Sequence, residues 1–276
     1  MQQAVFVFHR TLLENETMRS YIESLTTVLL AVLVVVAITL VINRGLDTNV
    51  RKQANGVNGW QLGILGTIYA VVLGFMLSDA WLAYQNAAND VRNEAAALLA
   101  IYRTADLLPP DCAVVVRTNT RQYIDAVIDT EWPSMQEKRA NLRGGDAIGR
   151  MWSSISQCDA HGTAFARDSV VRALETLQMR RNARVEAYYG HLPFMLWSVL
   201  LFGASVVIAA SALLANERQS IHLFHVISLT VLIVVTLLAI ADLDRPFDGI
   251  TRVDADSIRA VQCEITSGQC LYQMPR

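Results

Sequence analysis

The sequence has little charge, little cysteine and none of the short motifs that mark common enzyme classes. Only 17% of its 276 residues are charged and the formal net charge is −2, so no basic surface for nucleic acid is expected. Four cysteines are too few for a disulfide scaffold, and they form no CxxC pair. Phosphate-binding, nucleophile-elbow, zinc-protease and dinucleotide motifs are missing. We therefore expect neither an enzyme nor a bound cofactor.

Apolar residues make up 53% of the chain and are concentrated in four blocks. A helix needs about 20 apolar residues to cross roughly 30 Å of hydrocarbon, and each block is about that long. Trp60 and Trp81 are spaced to place one tryptophan at each membrane interface. After an N-terminal segment, residues 1–24, the predicted spans are residues 25–42, 60–81, 192–214 and 221–241.

The sequence between the second and third spans is polar and mostly helical in pattern. We expect residues 82–191 to form an extramembrane helical domain and residues 242–276 an acidic tail. The first helix of the domain continues the second span, because residues 80–107 contain no glycine or proline. Further helices are predicted from Asp111, as N-cap, to Trp132 and Pro133, and over residues 146–157 and 165–189, with a loop at Gly144 and Gly145.

Arginines and cysteines give opposite indications about the side of the membrane on which this domain lies. Four spans put both termini and the domain on one side. That side has more arginine near the membrane, which predicts a cytoplasmic location, although the short loop 43–59 is itself basic. Disulfides within the domain or tail would instead imply an oxidising compartment. The possible pairs are Cys112 with Cys158 and Cys263 with Cys270.

Three groups of polar residues could carry chemistry. His222 and His225 could share a helix face, but two histidines without further ligands are not a metal site, and no metal is expected. Arg180, Arg181 and Arg184 are predicted to meet acidic headgroups or the tail. Aspartates after the fourth span could attract divalent cations or form a solvated tail. They are Asp242, Asp244, Asp248, Asp254 and Asp256.

The second span has two distinctive faces. Small residues recur every fourth position, which lets another helix approach closely; they are Gly66, Ala70, Gly74 and Ser78. The adjacent face runs through Thr67, Val71 and Phe75 and continues to Asp79, Asn86 and Asp90. An apolar constriction that opens into polar rings is typical of a pore-lining helix. The alternative is that Val71 and Phe75 pack within a bundle, with Asp79 at the interface.

Short segments along the chain resemble one family. AVVLGFMLSDAWLAYQNAAND, residues 70–90, resembles the second membrane helix of bestrophins, and LDRPFDG, residues 243–249, resembles the PFG element after their last span. EAAALLAIYRTADLLP and EWP, residues 94–109 and 131–133, are similar to a group of bacterial bestrophin-like membrane proteins. The resemblance covers about residues 66–249.

Bestrophins are pentameric ion channels with cytoplasmic termini and one axial pore lined by the second helix. The resemblance implies an all-α homo-oligomer in the bacterial inner membrane that conducts small inorganic ions. Thr67, Val71 and Phe75 would form its hydrophobic neck. Asp79, Asn86 and Asp90 would line its vestibule, and Asp244, Pro246, Phe247 and Gly249 would form its tail motif.

Two departures from the family limit what the resemblance implies. The acidic calcium clasp of bestrophins is not matched residue by residue, so calcium gating does not follow. Rings of Asp79 and Asp90 would concentrate cations rather than anions. The competing hypothesis is a non-conducting membrane sensor or scaffold whose helical domain binds a partner protein.

Overall fold

Every regular element in the described part of the chain is helical, which confirms the predicted all-α class. A computed structural model of the full chain describes residues 2–45, 48–137, 144–157, 164–215 and 218–267. Its α-helices are α1 Gln2–Gly45, α2 Thr48–Thr104, α3 Pro110–Ala126, α4 Trp132–Gln136, α5 Gly144–Gln157, α6 Ala164–Tyr189, α7 Phe194–Leu213, α8 Gln219–Leu243 and α9 Asp256–Ser267. A 3-10 turn, Ala105–Leu107, follows α2, and a π-helical turn, Val127–Glu131, joins α3 to α4.

Within the described residues, four helices are long and apolar enough to cross a membrane, as predicted. The candidate spans are Tyr21–Gly45, Arg51–Leu107, Phe194–Leu213 and Gln219–Leu243. Large apolar side chains such as Leu29, Phe202 and Leu232 are exposed on them. Such side chains are compatible with lipid, while the helices satisfy their own backbone groups.

The spans belong to one compact unit, Met1–Trp81 with Leu192–Asp244. Within it, α8 packs against both α1 and α7. Tyr69 of α2 is buried and donates its hydroxyl hydrogen to the Leu200 carbonyl at 3.0 Å. A Cβ on Gly203 would lie 2.6 Å from the Tyr69 ring, so this glycine makes room for the tyrosine between α2 and α7.

The segment between the first two spans is mostly helical, whereas a loop was predicted over residues 43–59. Arg51 donates to the carbonyls of residues 212–214 at 2.6 to 3.2 Å. Asn55 both donates to and accepts from the backbone of Ala215. The last carbonyls of a helix have no partner within it. The start of α2 therefore caps α7, a contact that local sequence cannot reveal.

The second compact unit consists of Leu82–His191 and Arg245–Arg276. The predicted uninterrupted helix is present, since α2 continues to Thr104 before its 3-10 turn. Buried apolar side chains from α2 to α6, from α9 and from the segment between α8 and α9 form one core. Its large members include Leu98, Ile101, Val116, Ile124, Met151, Leu174, Phe247 and Ile258.

Helix boundaries in this unit differ from the prediction. Helix α3 begins at Pro110 with Pro109 as N-cap and no side-chain cap, because proline already has a helical φ; Asp111 is not the cap. The helical path does not stop at Pro133 but continues through the π-helical turn into α4. A proline ring needs space in the preceding turn, and this wider turn supplies it. Gly144 and Gly145 begin α5 rather than forming a loop.

Candidate ion pathway on helix α2

One apolar face of α2 is not covered by the rest of the protomer. Thr67 is exposed, Val71 is 52% exposed and Phe75 is 73% exposed. Tyr69, Leu73 and Ala80, by contrast, are buried. The alternative in which Val71 and Phe75 pack inside a bundle does not hold within one protomer. Their face is available to lipid, to a pore or to another subunit.

The stripe of small residues on α2 is also open. A Cβ on Gly66 or Gly74 would meet nothing within 4 Å, and Ala70 is exposed. No described residue of the same chain packs closely against Gly66 or Gly74. The predicted role in helix packing therefore requires a helix from outside this protomer.

The three predicted vestibule residues differ in electrostatic environment. Asp79 and Asn86 are exposed, and Asp79 has no ion-pair partner among the described residues. Asp90 instead accepts a hydrogen bond from Arg180 at 2.9 Å. Because that pair brings opposite charges together, Asp90 does not provide an uncompensated negative charge. The expected charge ring is reduced to Asp79.

A group of buried ions lies in the second unit, and sequence reasoning missed it. Arg184 is fully buried and donates from Nε and Nη2 to the Glu94 carboxylate at 2.7 and 3.1 Å. Its Nη2 also donates to Glu131 at 2.9 Å. Tyr123 donates its hydroxyl hydrogen to Glu94 at 2.5 Å. We call Glu94, Tyr123, Glu131 and Arg184 the buried ion cluster.

Three neighbours complete the buried ion cluster. Arg181 donates to Glu131 at 2.9 Å, which brings two positive charges together with two carboxylates. The Gly144 N–H donates to the same carboxylate at 2.6 Å. The Arg184 guanidinium lies 5.5 Å from the Trp132 ring centroid, a cation–π distance. The prediction that Arg184 meets headgroups or the tail is wrong, because its charge is neutralised inside the core.

The pKa values of the cluster agree with this pairing. Burial would raise the pKa of Glu131, but the charges and hydrogen bonds of Arg184 and Arg181 outweigh burial and lower it. Burial would lower the pKa of Arg184, but chiefly the charge of Glu94 holds it well above its usual value. Burial, followed by the charge of Glu94, raises the pKa of Tyr123 well above its usual value. Glu131 and Arg184 therefore stay charged, and the Tyr123 phenol stays neutral, at neutral pH.

Sequence comparison identifies the family. The bestrophin-like domain matches residues 29–258. This chain belongs to the bestrophin-like family. Comparison with curated proteins gives no match.

Solved structures with the same fold include a bacterial bestrophin homolog from Klebsiella pneumoniae phased with zinc. It has a TM-score of 0.67 and 14% identity over 89% of this chain and 99% of that chain. Two single-residue variants of the Klebsiella homolog have TM-scores of 0.68 and 0.66, each at 12% identity. They cover 89% and 87% of this chain, and 98% and 99% of theirs. At such identities the similarity shows the fold.

The tail motif of this bestrophin-like chain has structural partners. Asp244 accepts a hydrogen bond from the Leu192 backbone N–H at 2.9 Å, just before α7. Phe247 is buried edge-on against Trp132, with ring centroids 5.8 Å apart. The Pro246 carbonyl accepts from Val253 at 2.7 Å. The DRPF and EWP segments therefore meet through their aromatic residues.

The described residues provide no metal site. No three His, Cys, Asp or Glu side chains among them are arranged to hold an ion. Asp254 pairs with Arg252 at 3.7 Å and Asp256 with Arg259 at 3.1 Å. The acidic stretch is thus partly neutralised by its own arginines. It is not a solvated tail throughout, because Phe247, Ala255 and Ile258 are buried in the core.

Two of the four cysteines fall within the described residues, and both are oxidised. Cys112, at the start of α3, and Cys263, in α9, are each disulfide-bonded. Cys158 and Cys270, the partners considered from the sequence, lie outside the described residues. Oxidised cysteines therefore occur in two separate elements of the helical unit.

Proposed function

We propose that this bestrophin-like chain is one subunit of a homo-oligomeric, passive ion channel lined by α2. The supporting observation is the uncovered face of Thr67, Val71 and Phe75 on a helix whose other face is buried. Because these residues are spaced by about one helical turn, copies of α2 around an axis would stack three rings. Those rings are the proposed hydrophobic neck.

We expect the neck to open and close to ions according to whether water fills it. Val71 and Phe75 offer water no hydrogen bonds, so a narrow ring of them stays dry until it widens. Thr67 adds little polarity, because its hydroxyl already donates to the Gly63 carbonyl at 2.8 Å. Conduction then requires a change in the separation of the α2 helices rather than a chemical step.

Assembly through the small-residue stripe supports the same arrangement. Gly66, Ala70 and Gly74 lie about 100° around the helix from the neck residues. A helix that faces the axis with one of these faces can contact a neighbouring subunit with the other. We take the number of subunits to be five, by resemblance to bestrophins.

Ion preference depends on the one uncompensated acidic ring. Asp79 would place a negative charge beside the neck of every subunit, and Asn86 would add uncharged polar groups. Since Arg180 compensates Asp90, the ring at Asp79 carries the preference. It favours small monovalent cations over anions.

A non-conducting sensor or scaffold in the membrane is the second candidate function. The specific observation in its favour is exposed apolar surface on the helical unit. Leu107 is 51%, Val114 is 64% and Phe165 is 71% exposed. Such side chains on an extramembrane domain fit a partner protein. Particle symmetry in detergent distinguishes the two: a closed ring supports the channel, and a monomer or dimer supports the scaffold.

The proposed location is the bacterial inner membrane. The predicted cytoplasmic position of the termini depends on the arginine count and on the resemblance to bestrophins. The disulfide-bonded Cys112 and Cys263 oppose that orientation. Passive conduction by the neck requires neither orientation.

The neck is tested by single-channel conductance in planar bilayers. Val71→Ala and Phe75→Ala should each raise conductance, because a wider ring is more easily wetted. Phe202→Ala is the matched control, since Phe202 is 72% exposed on α7 against 73% for Phe75, and it should leave conductance unchanged. A current that Phe75→Ala does not alter would exclude Phe75 from the neck.

The charge ring is tested by reversal potential under a salt gradient. Asp79→Asn should move the reversal potential towards anion permeation, since it removes the ring's negative charge. Asp146→Asn, at an exposed position on α5, is the control and should cause no shift. If both variants behave like the parent chain, Asp79 does not line the pathway.

A further inference from the structure

We propose that a cavity in the helical unit binds the headgroup of phosphatidylethanolamine, a phospholipid whose headgroup carries a phosphate and a primary ammonium. The cavity has a volume of about 210 Å³ and is lined by Tyr188, Tyr189, His191, Arg245 and Asp248. It shares no residue with the proposed neck or with the buried ion cluster. The inference therefore goes beyond conduction and does not depend on it.

The cavity presents one positive and one negative side chain from a single turn. The Gly249 N–H donates to the Arg245 carbonyl at 3.0 Å, which closes a turn that contains Asp248. Residues three apart in a helical turn are neighbours on one side of it. Phe247 of the same turn is buried edge-on against Trp132. It anchors the turn in the core, while Arg245 and Asp248 line the cavity.

Arg245 is the group that binds the phosphate. It is exposed, and its guanidinium makes no hydrogen bond or ion pair with any described residue. Arg180 and Arg181, in contrast, are paired with carboxylates. A guanidinium presents its N–H donors in a planar fork that matches two phosphate oxygens. Arg245 therefore has its donors available for an anion.

Asp248 and the two tyrosines suit the ammonium. Burial, followed by the charges of Tyr189 and Asp248, raises the pKa of Tyr188, so the Asp248 carboxylate lies near this phenol. The Tyr188 and Tyr189 rings pack edge-on with centroids 5.0 Å apart. Cations are attracted to aromatic faces and to carboxylates. A carboxylate accepts up to about four hydrogen bonds, so Asp248 can accept one from the ligand besides those within the protein.

The residues that line the cavity lie next to the ends of two membrane spans along the chain. His191 shortly precedes α7, which begins at Phe194, and Arg245 shortly follows α8, which ends at Leu243. A segment of about three residues spans at most about 10 Å, and the headgroup layer is about 5–8 Å deep on each side of the bilayer. Tyrosine is also enriched at this depth. The cavity is therefore within reach of lipid headgroups.

The charges of the cavity favour phosphatidylethanolamine over other phospholipids. Its phosphate and ammonium complement Arg245 and Asp248 at the same time. Phosphatidylglycerol has a phosphate but no cation, so it leaves Asp248 beside a second negative charge. Phosphatidylcholine has a quaternary ammonium, which has no N–H to donate to a carboxylate. Only a primary ammonium provides both charge and hydrogen bonds.

Native mass spectrometry of the purified full chain, released from detergent, measures this binding. The three phospholipids are titrated separately, all with the same acyl chains, and phosphatidylethanolamine should have the lowest Kd. Arg245→Gln should raise that Kd about tenfold or more, which corresponds to one hydrogen bond between charged groups. Arg167→Gln is the matched control at an exposed position on α6, and it should leave the Kd unchanged.

Asp248→Asn separates recognition of the ammonium from recognition of the phosphate. It should raise the Kd of phosphatidylethanolamine about tenfold and lower that of phosphatidylglycerol, because the carboxylate that repels the phosphate is removed. Asp168→Asn, at an exposed position on α6, should change neither value. Equal weakening of all three lipids by Asp248→Asn would overturn the assignment of Asp248 to the ammonium.

Two other results would overturn the inference. If Arg245→Gln and Arg167→Gln bind phosphatidylethanolamine equally well, the cavity is not the site. Free phosphoethanolamine, which has the same charged groups without acyl chains, tests the source of the ligand. If it displaces the lipid at an equal concentration, the cavity binds a soluble zwitterion and the assignment to a lipid is wrong.

Discussion

Replacing Arg184 by methionine should strongly destabilise the helical unit. Methionine keeps a long apolar side chain, but the carboxylates of Glu94 and Glu131 lose the guanidinium that contacts them at 2.7 to 3.1 Å. Removing one partner of a buried ion pair costs roughly 3–5 kcal/mol. In a domain of this size that corresponds to a decrease of about 10–15 °C in Tm.

The assay is thermal unfolding of the purified full chain in detergent, followed by tryptophan fluorescence. Arg103→Met is the matched control, because Arg103 forms an ion pair with Glu264 on the surface, with 65% of its side chain exposed. An exposed pair contributes roughly 0–1 kcal/mol, so the control should lower Tm by at most about 3 °C. Equal shifts for Arg184→Met and Arg103→Met would refute the assigned role of the buried ion cluster.

A second substitution separates charge from packing. In the Arg184→Met variant, the buried carboxylates of Glu94 and Glu131 lack their guanidinium partner. Adding Glu131→Gln removes one of these two negative charges. If unpaired charge is the cause of the loss, the double variant should melt above the single variant. A further fall in Tm would mean that packing around Arg184, rather than its charge, dominates.

Two further predictions concern the same cluster. A Cβ on Gly144 would lie 2.8 Å from Glu131 Oε1, whereas one on Gly149 of the same helix meets nothing within 4 Å. In thermal unfolding, Gly144→Ala should lower the free energy of unfolding by about 1–3 kcal/mol, whereas Gly149→Ala should raise it by about 0.5–1 kcal/mol. Changes of the same sign in both variants would contradict the close packing of Gly144 against Glu131. Folding lowers the pKa of Glu131, so its stabilisation is present above the unfolded pKa of about 4.3 and is lost as pH falls through the lower folded value. A Tm profile against pH should therefore decline below about pH 4, less steeply in Glu131→Gln, and equal slopes would exclude Glu131 as a source of the decline.

The membrane spans could be predicted because their signal is local. Each span needs only a long apolar stretch, and residues 25–42 and 221–241 provide one with no help from distant contacts. Spacing also predicts that Val71 and Phe75 share one face of their helix, but their exposure on it is known only from the structure. Whether that face meets water, lipid or another subunit depends on oligomeric packing, which no local pattern contains.

The parts that sequence reasoning missed depend on contacts between distant residues. Glu94 and Arg184 are 90 positions apart, and three arginines near a span are easily interpreted as headgroup ligands. Helical spacing gave one indication of the cluster, because Glu94 lies on the same helix face as the apolar residues Val91 and Leu98. A charge at such a position needs a buried partner. Which residue is that partner can be known only from the folded structure.

The π-helical turn Val127–Glu131 constrains the length of the chain as well as its composition. Its hydrogen-bonded turn contains one more residue than that of an α-helix. Glu131 is the last residue of the turn, and Trp132 follows it directly. Deleting one residue there would rotate both side chains by about 100° relative to α3, away from Arg184 and Phe247. Substitutions elsewhere in the turn leave that register unchanged, so homologous chains that keep the buried ion cluster should vary in sequence at positions other than Glu131 but not in length.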